Sequence, residues 1–385
     1  MIPYGKQSIN QTDIDAVINI LKSDWLTQGP TIPLFEKTVA QQVGAQHGVA
    51  VNSATSALHL ACLALDLGHD DLLWTSPNTF VASANCALYC GASVDFVDID
   101  PRTYNMSYTA LQHKLAEAER NGKLPKIVIP VHFAGQSCDM EQIATLAQKY
   151  GFKIIEDASH AIGGNYRNNP IGSCHYSDIT VFSFHPVKII TTGEGGMAVT
   201  NDKMLAEKMQ MLRSHGITRD PTKMTQQPAG AWYYEQIALG LNYRITDIQA
   251  ALGVSQLTRL TQFIARRHEQ ALIYKQALTK LPLILPFQEP DRKSAFHLYV
   301  IQIDPHNAPI TRNHLFSKLK EAGIDVNVHY IPVHTQPYYR QLNFAPGQFI
   351  EAERYYANAL SLPLYFDLHA RQQEQVIDLL TKNLA

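Results

Sequence analysis

No stretch of the 385 residues reaches the roughly 18 uninterrupted apolar residues that a membrane-spanning helix needs. Cysteine is scarce. Cys62, Cys86, Cys90, Cys138 and Cys174 are odd in number and scattered, which reads as reduced thiols in a cytoplasmic protein rather than a disulfide framework. Cys86 and Cys90 sit within an apolar helical pattern and are expected in the core. The opening MIPYGKQSINQTDIDAV has neither the basic start nor the apolar run of a signal peptide. Neither sign of charge dominates: 32 Lys+Arg against 34 Asp+Glu give a net charge of −2. A broad basic face for nucleic acid is therefore not expected, whereas a local site for a small anion is left open. Internal repeats and low-complexity tracts are missing too. His329 and His334 in HYIPVH have neither an HExxH frame nor a third ligand nearby, so no metal is expected.

What is present is apolar material for a large core: 45% hydrophobic against 17% charged residues. From about residue 12 to 200, helical patterns (Asp13–Ser23, Leu34–Val43, Thr55–Leu67, Val81–Tyr89, Met140–Tyr150) alternate with short β-branched runs. Those runs are GVAV (48–51), DLLW (71–74), SVDFVDI (93–99), KIVIPV (126–131), FKIIED (152–157) and ITVFSF (179–184). Such runs suit strands buried on both faces, and the alternation predicts one large α/β domain around a mostly parallel sheet. Residues 218–244 form a long irregular segment of the kind that usually carries function. A helical pattern then runs from Asp247 to about Lys280. The last third predicts a strand (FHLYVIQI), a helix (Arg312–Ala322), a strand (DVNVHY) and a final helix (Ala370–Leu384). The expected division is a large domain (1–245), a long connecting helix (246–294) and a small C-terminal α+β domain (295–385).

Three predicted strand ends carry polar residues that do not belong in a packed interior, and ligands of open α/β sheets bind at such ends. NSATSALHL (52–60) opens a helix with small residues and hydroxyls, which makes either an anion site or an ordinary N-cap. IIEDASHA (154–161) places Glu156, Asp157 and His160 at one mouth, or at a solvated strand end. VFSFHPVKIITTGEGGMAV (181–199) holds Lys188 between an apolar strand and a glycine-rich turn. There it is a desolvated nucleophile or a surface lysine. Together the three point to one chemistry. Pyridoxal phosphate requires a lysine for its aldehyde, a carboxylate for its ring nitrogen and a cradle for its phosphate. Phe80, just past TSPNTF, is placed to stack on the ring, and Ser183 to add a hydroxyl to the phosphate.

The runs NSATSALH, EDASHAIGG, SFHPVKIITTGEGG and LNYRITDIQAALG resemble the DegT/StrS group of pyridoxal-phosphate sugar aminotransferases. The likeness extends from YGKQSI near the start to VHYIPVH and SLPLY near the end. It implies the aspartate-aminotransferase fold (fold type I), an enzyme, and a homodimer with shared active sites. On that resemblance Lys188 holds the cofactor and moves the proton, Asp157 pairs with the ring nitrogen, and His160 lies beside the ring. Ala54, Thr55, Ser56 and Ser183 hold the phosphate, and Phe80 stacks; many relatives have a larger aromatic there. Asn242 and Arg244 of LNYR reach the neighbouring subunit's site. Tyr4, Trp25, Leu26, Thr27, Val328, His329 and Tyr330 match the sugar-nucleotide pocket, with Ala54, Ser183 and Arg244 contributing. DWLTQGP and NSATSAL look most like the pseudaminic-acid branch. That branch moves an amino group from L-glutamate to C4 of a UDP-linked 4-keto-6-deoxy-N-acetylhexosamine, the second step of that biosynthesis. Enzymes acting at C3 or on the gluco epimer share these motifs. The dehydratases of the family replace the lysine with histidine, and this chain keeps Lys188. A non-catalytic sensor would need an effector module, for which no residues are left over.

Overall fold

The β-branched runs pair into one seven-stranded sheet in the computed structural model, which describes residues 1–384. Its strands are β1 (His47–Val51), β2 (Leu72–Thr75), β3 (Ser93–Phe96), β4 (Ile127–Ile129), β5 (Lys153–Asp157), β6 (Ile179–Ser183) and β7 (Gly196–Thr200). Their spatial order is β1-β7-β6-β5-β4-β2-β3. Within this sheet only β7 runs against the rest, antiparallel to both β1 and β6. The pairs from β6 across to β3 are parallel, so the mostly parallel α/β architecture is as expected. Successive residues on β6 point to opposite faces. Val181 enters a core with Leu60, Leu73 and Ile155, while Phe182 enters another with Phe35, Phe184 and Phe263. Burial on both faces explains why these strands show no polar alternation.

The helices match the anticipated patterns to within a few residues. They are α1 (Gln11–Leu21), α2 (Thr31–Val43), α3 (Ala54–Ala64), α4 (Ala82–Tyr89), α5 (Tyr108–Arg120), α6 (Met140–Tyr150) and α7 (Lys203–Arg213). Helix α5 was not anticipated; Ser107 caps it, as Asp202 caps α7. The single helix expected from Asp247 to Lys280 is two, α8 (Asp247–Leu257) and α9 (Leu260–Leu278). The break has a cause: Thr258 Oγ1 bonds back to the Ser255 carbonyl, and Arg259 turns its guanidinium to Asp13.

The small unit is a three-stranded antiparallel sheet of Leu283–Ile284, Tyr299–Ile303 and Ala359–Leu362, packed against α9, Arg312–Glu321 and Ala370–Leu384. Ile2 bridges to Ile324 and is buried in this core. The strand expected over DVNVHY does not form. Asn327 makes one isolated bridge to Ser361, while the Tyr330 amide goes to Asn78 Oδ1 and that of Val328 to Asn327 Oδ1. Side-chain acceptors replace the ladder there. The segment 218–244 is irregular as expected, apart from a short pairing of Ile217–Thr218 with Glu235–Gln236. No helix among the described residues is long and apolar enough to cross a membrane. All five cysteines are unpaired with each other, and all but Cys90 are buried.

Asp13 ties the N-terminal helix to α8 and α9. It is fully buried and accepts from Ser255 Oγ at 2.6 Å, Gln256 Nε2 at 2.7 Å and Arg259 Nη2 at 2.5 Å. Removing it strands a guanidinium and two polar side chains in the interior. Asp13→Ala is expected to cost about 3–5 kcal/mol of unfolding free energy, with Asp13→Asn costing less, as read from urea denaturation midpoints.

Candidate active site

Because β1, β5 and β6 run parallel, their carboxyl ends emerge along one edge of the sheet. Val51 and Ser183 both pair with Gly196, the first residue of β7, and Asp157 pairs with Val181. Residues 52–56, 157–160 and 183–188 thereby meet at one cavity of about 840 Å³, to which Tyr4, Phe80, His297 and residues 327–330 also contribute.

The first turn of α3 forms one wall. Ser53 Oγ accepts from the Ser56 amide at 3.1 Å, and Ser56 Oγ donates to Asn52 Oδ1 at 2.6 Å. The cap thus occupies the Ser56 N–H and leaves those of Ala54 and Thr55 with no partner inside the helix. Those amides, at the positive end of the helix dipole, suit an anion. Gly196 permits this approach: a Cβ there would fall 2.5 Å from the Ala54 nitrogen and the Ser53 carbonyl.

Asp157, 5% exposed at the end of β5, is held from both sides. Ser83 Oγ on α4 donates to Oδ2 at 2.6 Å, and the Ser159 amide donates to Oδ1 at 3.0 Å. Each oxygen retains capacity for a further donor. Lys188 lines the same cavity. Burial pulls its ammonium down from 10.5 to about 8, and the Asp157 charge pulls against that shift. Its amine therefore exists in part as the free base near neutral pH.

Three histidines surround this pair without adding charge. The Ala134 amide donates to His160 Nδ1 at 3.3 Å, so the ring proton sits on Nε2, 3.0 Å from the Tyr330 hydroxyl. Burial first, then the Lys188 charge, holds His160 well below the usual imidazole range. His329 bonds Ser361 Oγ at 2.8 Å through Nδ1 and lies 3.5 Å from Asn327 Nδ2 at Nε2. Burial first, then Lys188, lowers it to about 3. His297 packs on His160 with ring centroids 4.4 Å apart. Tyr330, whose phenol burial raises well above its usual range, accepts from His160 and keeps its own O–H free to donate.

Of the residues expected at the site, Lys188, Asp157, His160, Ala54, Thr55, Ser56, Phe80, Ser183, Tyr4, Val328, His329 and Tyr330 all line this cavity. Phe80 is 59% exposed, its ring 6.3 Å from that of Tyr330. Trp25, Leu26, Thr27, Asn242 and Arg244 do not line it. Trp25 and Leu26 are exposed, Thr27 bridges to Thr246, and the backbones of Asn242 and Arg244 bridge to Ser214 and Val51. Sequence reasoning missed His297, Gln249, His185 and Glu194 on the cavity wall, and Ser83 behind Asp157. His185 and Glu194 fall within the third polar strand end, 181–199, without having been given a role, whereas His297, Gln249 and Ser83 follow no predicted strand end. His185, inside SFHPVK, had the one usable signal, its nearness to Lys188.

A cradle of free amides, a braced carboxylate and a lysine of lowered pKa fit pyridoxal phosphate. The sequence comparison agrees. The chain belongs to the DegT/DnrJ/EryC1/StrS aminotransferase family. The family's profile matches residues 7–381. The chain is 41% identical over 380 residues to the spore coat polysaccharide biosynthesis protein SpsC of Bacillus subtilis, covering 98% of this chain and 95% of that one. It is 37% identical over 381 residues to the UDP-4-amino-4,6-dideoxy-N-acetyl-beta-L-altrosamine transaminase of Campylobacter jejuni, covering 99% and 96%. Among solved structures, Helicobacter pylori PseC, an aminotransferase involved in the biosynthesis of pseudoaminic acid, superposes with a TM-score of 0.89 at 32% identity, covering 100% and 99%. A Streptococcus pneumoniae member solved in its PLP form gives 0.88 at 27% identity, with full coverage of both chains. The fold is thus that of the fold-type-I enzymes, and this family member is an aminotransferase that uses pyridoxal phosphate.

Capture of the cofactor aldehyde requires the free amine of Lys188. In protein stripped of cofactor, the rate of that capture is expected to rise with pH and level off above about 8. Asp157→Asn removes the charge that holds the amine protonated, so its plateau is expected at lower pH. Stopped-flow absorbance across pH 6–10 reads both.

Proposed function

We propose that the protein transfers the amino group of L-glutamate to C4 of a UDP-linked 4-keto-6-deoxy-N-acetylhexosamine, the second step of pseudaminic acid biosynthesis. The observation that carries this reading is the meeting of Lys188, Asp157 and the α3 amides in one cavity, in a chain similar along nearly its whole length to transaminases of such sugars. Bound there, pyridoxal phosphate supplies an electron sink for the carbon losing its proton. The chain's own residues do the rest. The Ala54 and Thr55 amides and the Ser183 hydroxyl would hold the phosphate, and Ser56, whose hydroxyl donates to Asn52, would fix the turn that presents them. Asp157, fixed by Ser83 and Ser159, keeps the ring nitrogen protonated. Lys188, poised near neutrality, takes the α-proton of the donor and returns it on the other side of the exchange. Tyr4, Val328, His329 and Tyr330 line the way in for the sugar nucleotide.

The cavity wall of this chain contains no arginine, although the reaction brings several anions together. Arg244 and Asn242 make no side-chain hydrogen bond or ion pair among the described residues, and Asn242 is exposed. On this reading two copies form a homodimer in which each lends Asn242 and Arg244 to the other's site. The second reading is C3 or C4 amination of another nucleotide-linked keto sugar; the 41% identity to a spore coat polysaccharide biosynthesis protein, against 37% to the altrosamine transaminase, is why it is kept.

Mixing the protein with glutamate and candidate UDP-4-keto sugars is expected to yield a product whose NMR spectrum carries an amine at C4; an amine elsewhere selects the second reading. Lys188→Ala is expected to lose activity by at least about a thousandfold, and turnover by that variant would refute its role. Shared sites have their own test. Refolding equal amounts of inactive Lys188→Ala and Arg244→Ala chains together should restore up to about a quarter of wild-type activity, because half the dimers are mixed and each has one intact site. No recovery in demonstrably mixed dimers would overturn the exchange of residues.

A further inference from the structure

His160 and His329 have both ring nitrogens engaged. His297 lines the same cavity at 5% exposure, yet its Nδ1 is sealed in the interior with no partner. A proton placed on Nδ1 would be a buried donor bonded to nothing, which is costly. Placed on Nε2, which also has no partner among the described residues, it belongs to the nitrogen left to meet a ligand. Burial, with the charges of Lys188 and Arg267, keeps the ring uncharged. His297 therefore offers the cavity a neutral N–H.

Behind it lies a positive charge with no anion of its own. Arg267 on α9 is 3% exposed. Its Nη1 donates to the carbonyls of Phe296 at 3.1 Å, His297 at 3.2 Å and Leu364 at 3.0 Å, and its Nε has no partner. It forms no ion pair among the described residues. A buried guanidinium left uncompensated makes the wall in front of it favourable for an anion. The cofactor phosphate has the α3 amides. The amino donor's carboxylate is small, anionic and required next to Lys188.

We infer that His297, backed by the buried Arg267, binds a carboxylate oxygen of the amino donor through its Nε2–H. This rests on the transaminase reading above. The test uses the full-length, cofactor-loaded protein and the variants His297→Phe, which keeps a ring but no donor, and His297→Gln, which keeps an N–H. In His297→Phe the glutamate concentration giving half-maximal bleaching of the cofactor band should rise about ten- to a hundredfold, as for loss of a hydrogen bond to a charged group. Calorimetric binding of glutarate, a dicarboxylate with no amine, should weaken in parallel. His297→Gln should restore much of both, and the constant for the keto sugar should stay unchanged. Unaltered glutamate and glutarate constants in His297→Phe with its cofactor band intact would overturn the inference, as would a rise confined to the keto sugar. Wild-type protein that fails to bleach with glutamate would instead sink the transaminase reading itself.

Discussion

The site depends on the shared direction of three strands. With β1, β5 and β6 parallel, the residues following Val51, Asp157 and Ser183 leave the sheet at one edge. The reversed strand β7 begins between two of them. Its first residue must lie under the turn that opens α3, and the contact distances there admit no side chain. A slip of β6 by one residue would send Val181 and Phe182 to the wrong faces. The same slip would turn Ser183 away from the cavity. The apolar packing of the two faces therefore also sets the position of the polar groups.

Charge is rationed within that geometry. The cavity interior holds one cation, Lys188, and one carboxylate, Asp157. Glu194 stands further out, 3.9 Å from His185, with both side chains about half exposed. Three further basic side chains are present as histidines, and each is kept neutral by the same pair of causes, burial and the nearby Lys188. A lysine or arginine at any of those positions would have competed with Lys188 for the single counter-charge. Neutral imidazoles supply hydrogen-bonding groups without doing so. The overall charge of −2 reflects this economy: anions are met by amides, hydroxyls and a few placed cations rather than by a basic surface.

Much of this was legible from the residues alone. Strands buried on both faces announce themselves as unalternating β-branched runs, and a lysine between such a strand and a glycine-rich turn has little reason to be there except chemistry. The elements that sequence reasoning misplaced were those shaped by distant partners. The long helix breaks at Thr258–Arg259, where the Arg259 guanidinium reaches Asp13, far away in the chain. The stretch 325–330 looks like a strand by composition, yet Asn78 and its own Asn327 take its amides. His297 opens an ordinary apolar strand, and nothing in FHLYV distinguishes it from a core histidine. Its role emerges only where the segment 295–298 meets the turn at Ala134.

That meeting point is a single residue. The Ala134 N–H donates to His160 Nδ1, and the Ala134 carbonyl accepts from the His297 amide at 2.9 Å. The next residue, Gly135, has φ +106, and a Cβ there would lie 2.9 Å from the Phe296 nitrogen and 3.0 Å from the His160 carbonyl. Only glycine tolerates both the backbone angle and the crowding. His160 and His297 are thus tied to the two backbone groups of one residue, which belong to successive peptide units. A displacement of the segment 295–298 would pull on the Ala134 carbonyl, next to the N–H whose hydrogen bond selects the His160 tautomer. The ring proposed to lie beside the cofactor and the ring proposed to receive the donor are therefore set in register through Ala134, while Arg267 holds the His297 side from behind through the Phe296 and His297 carbonyls.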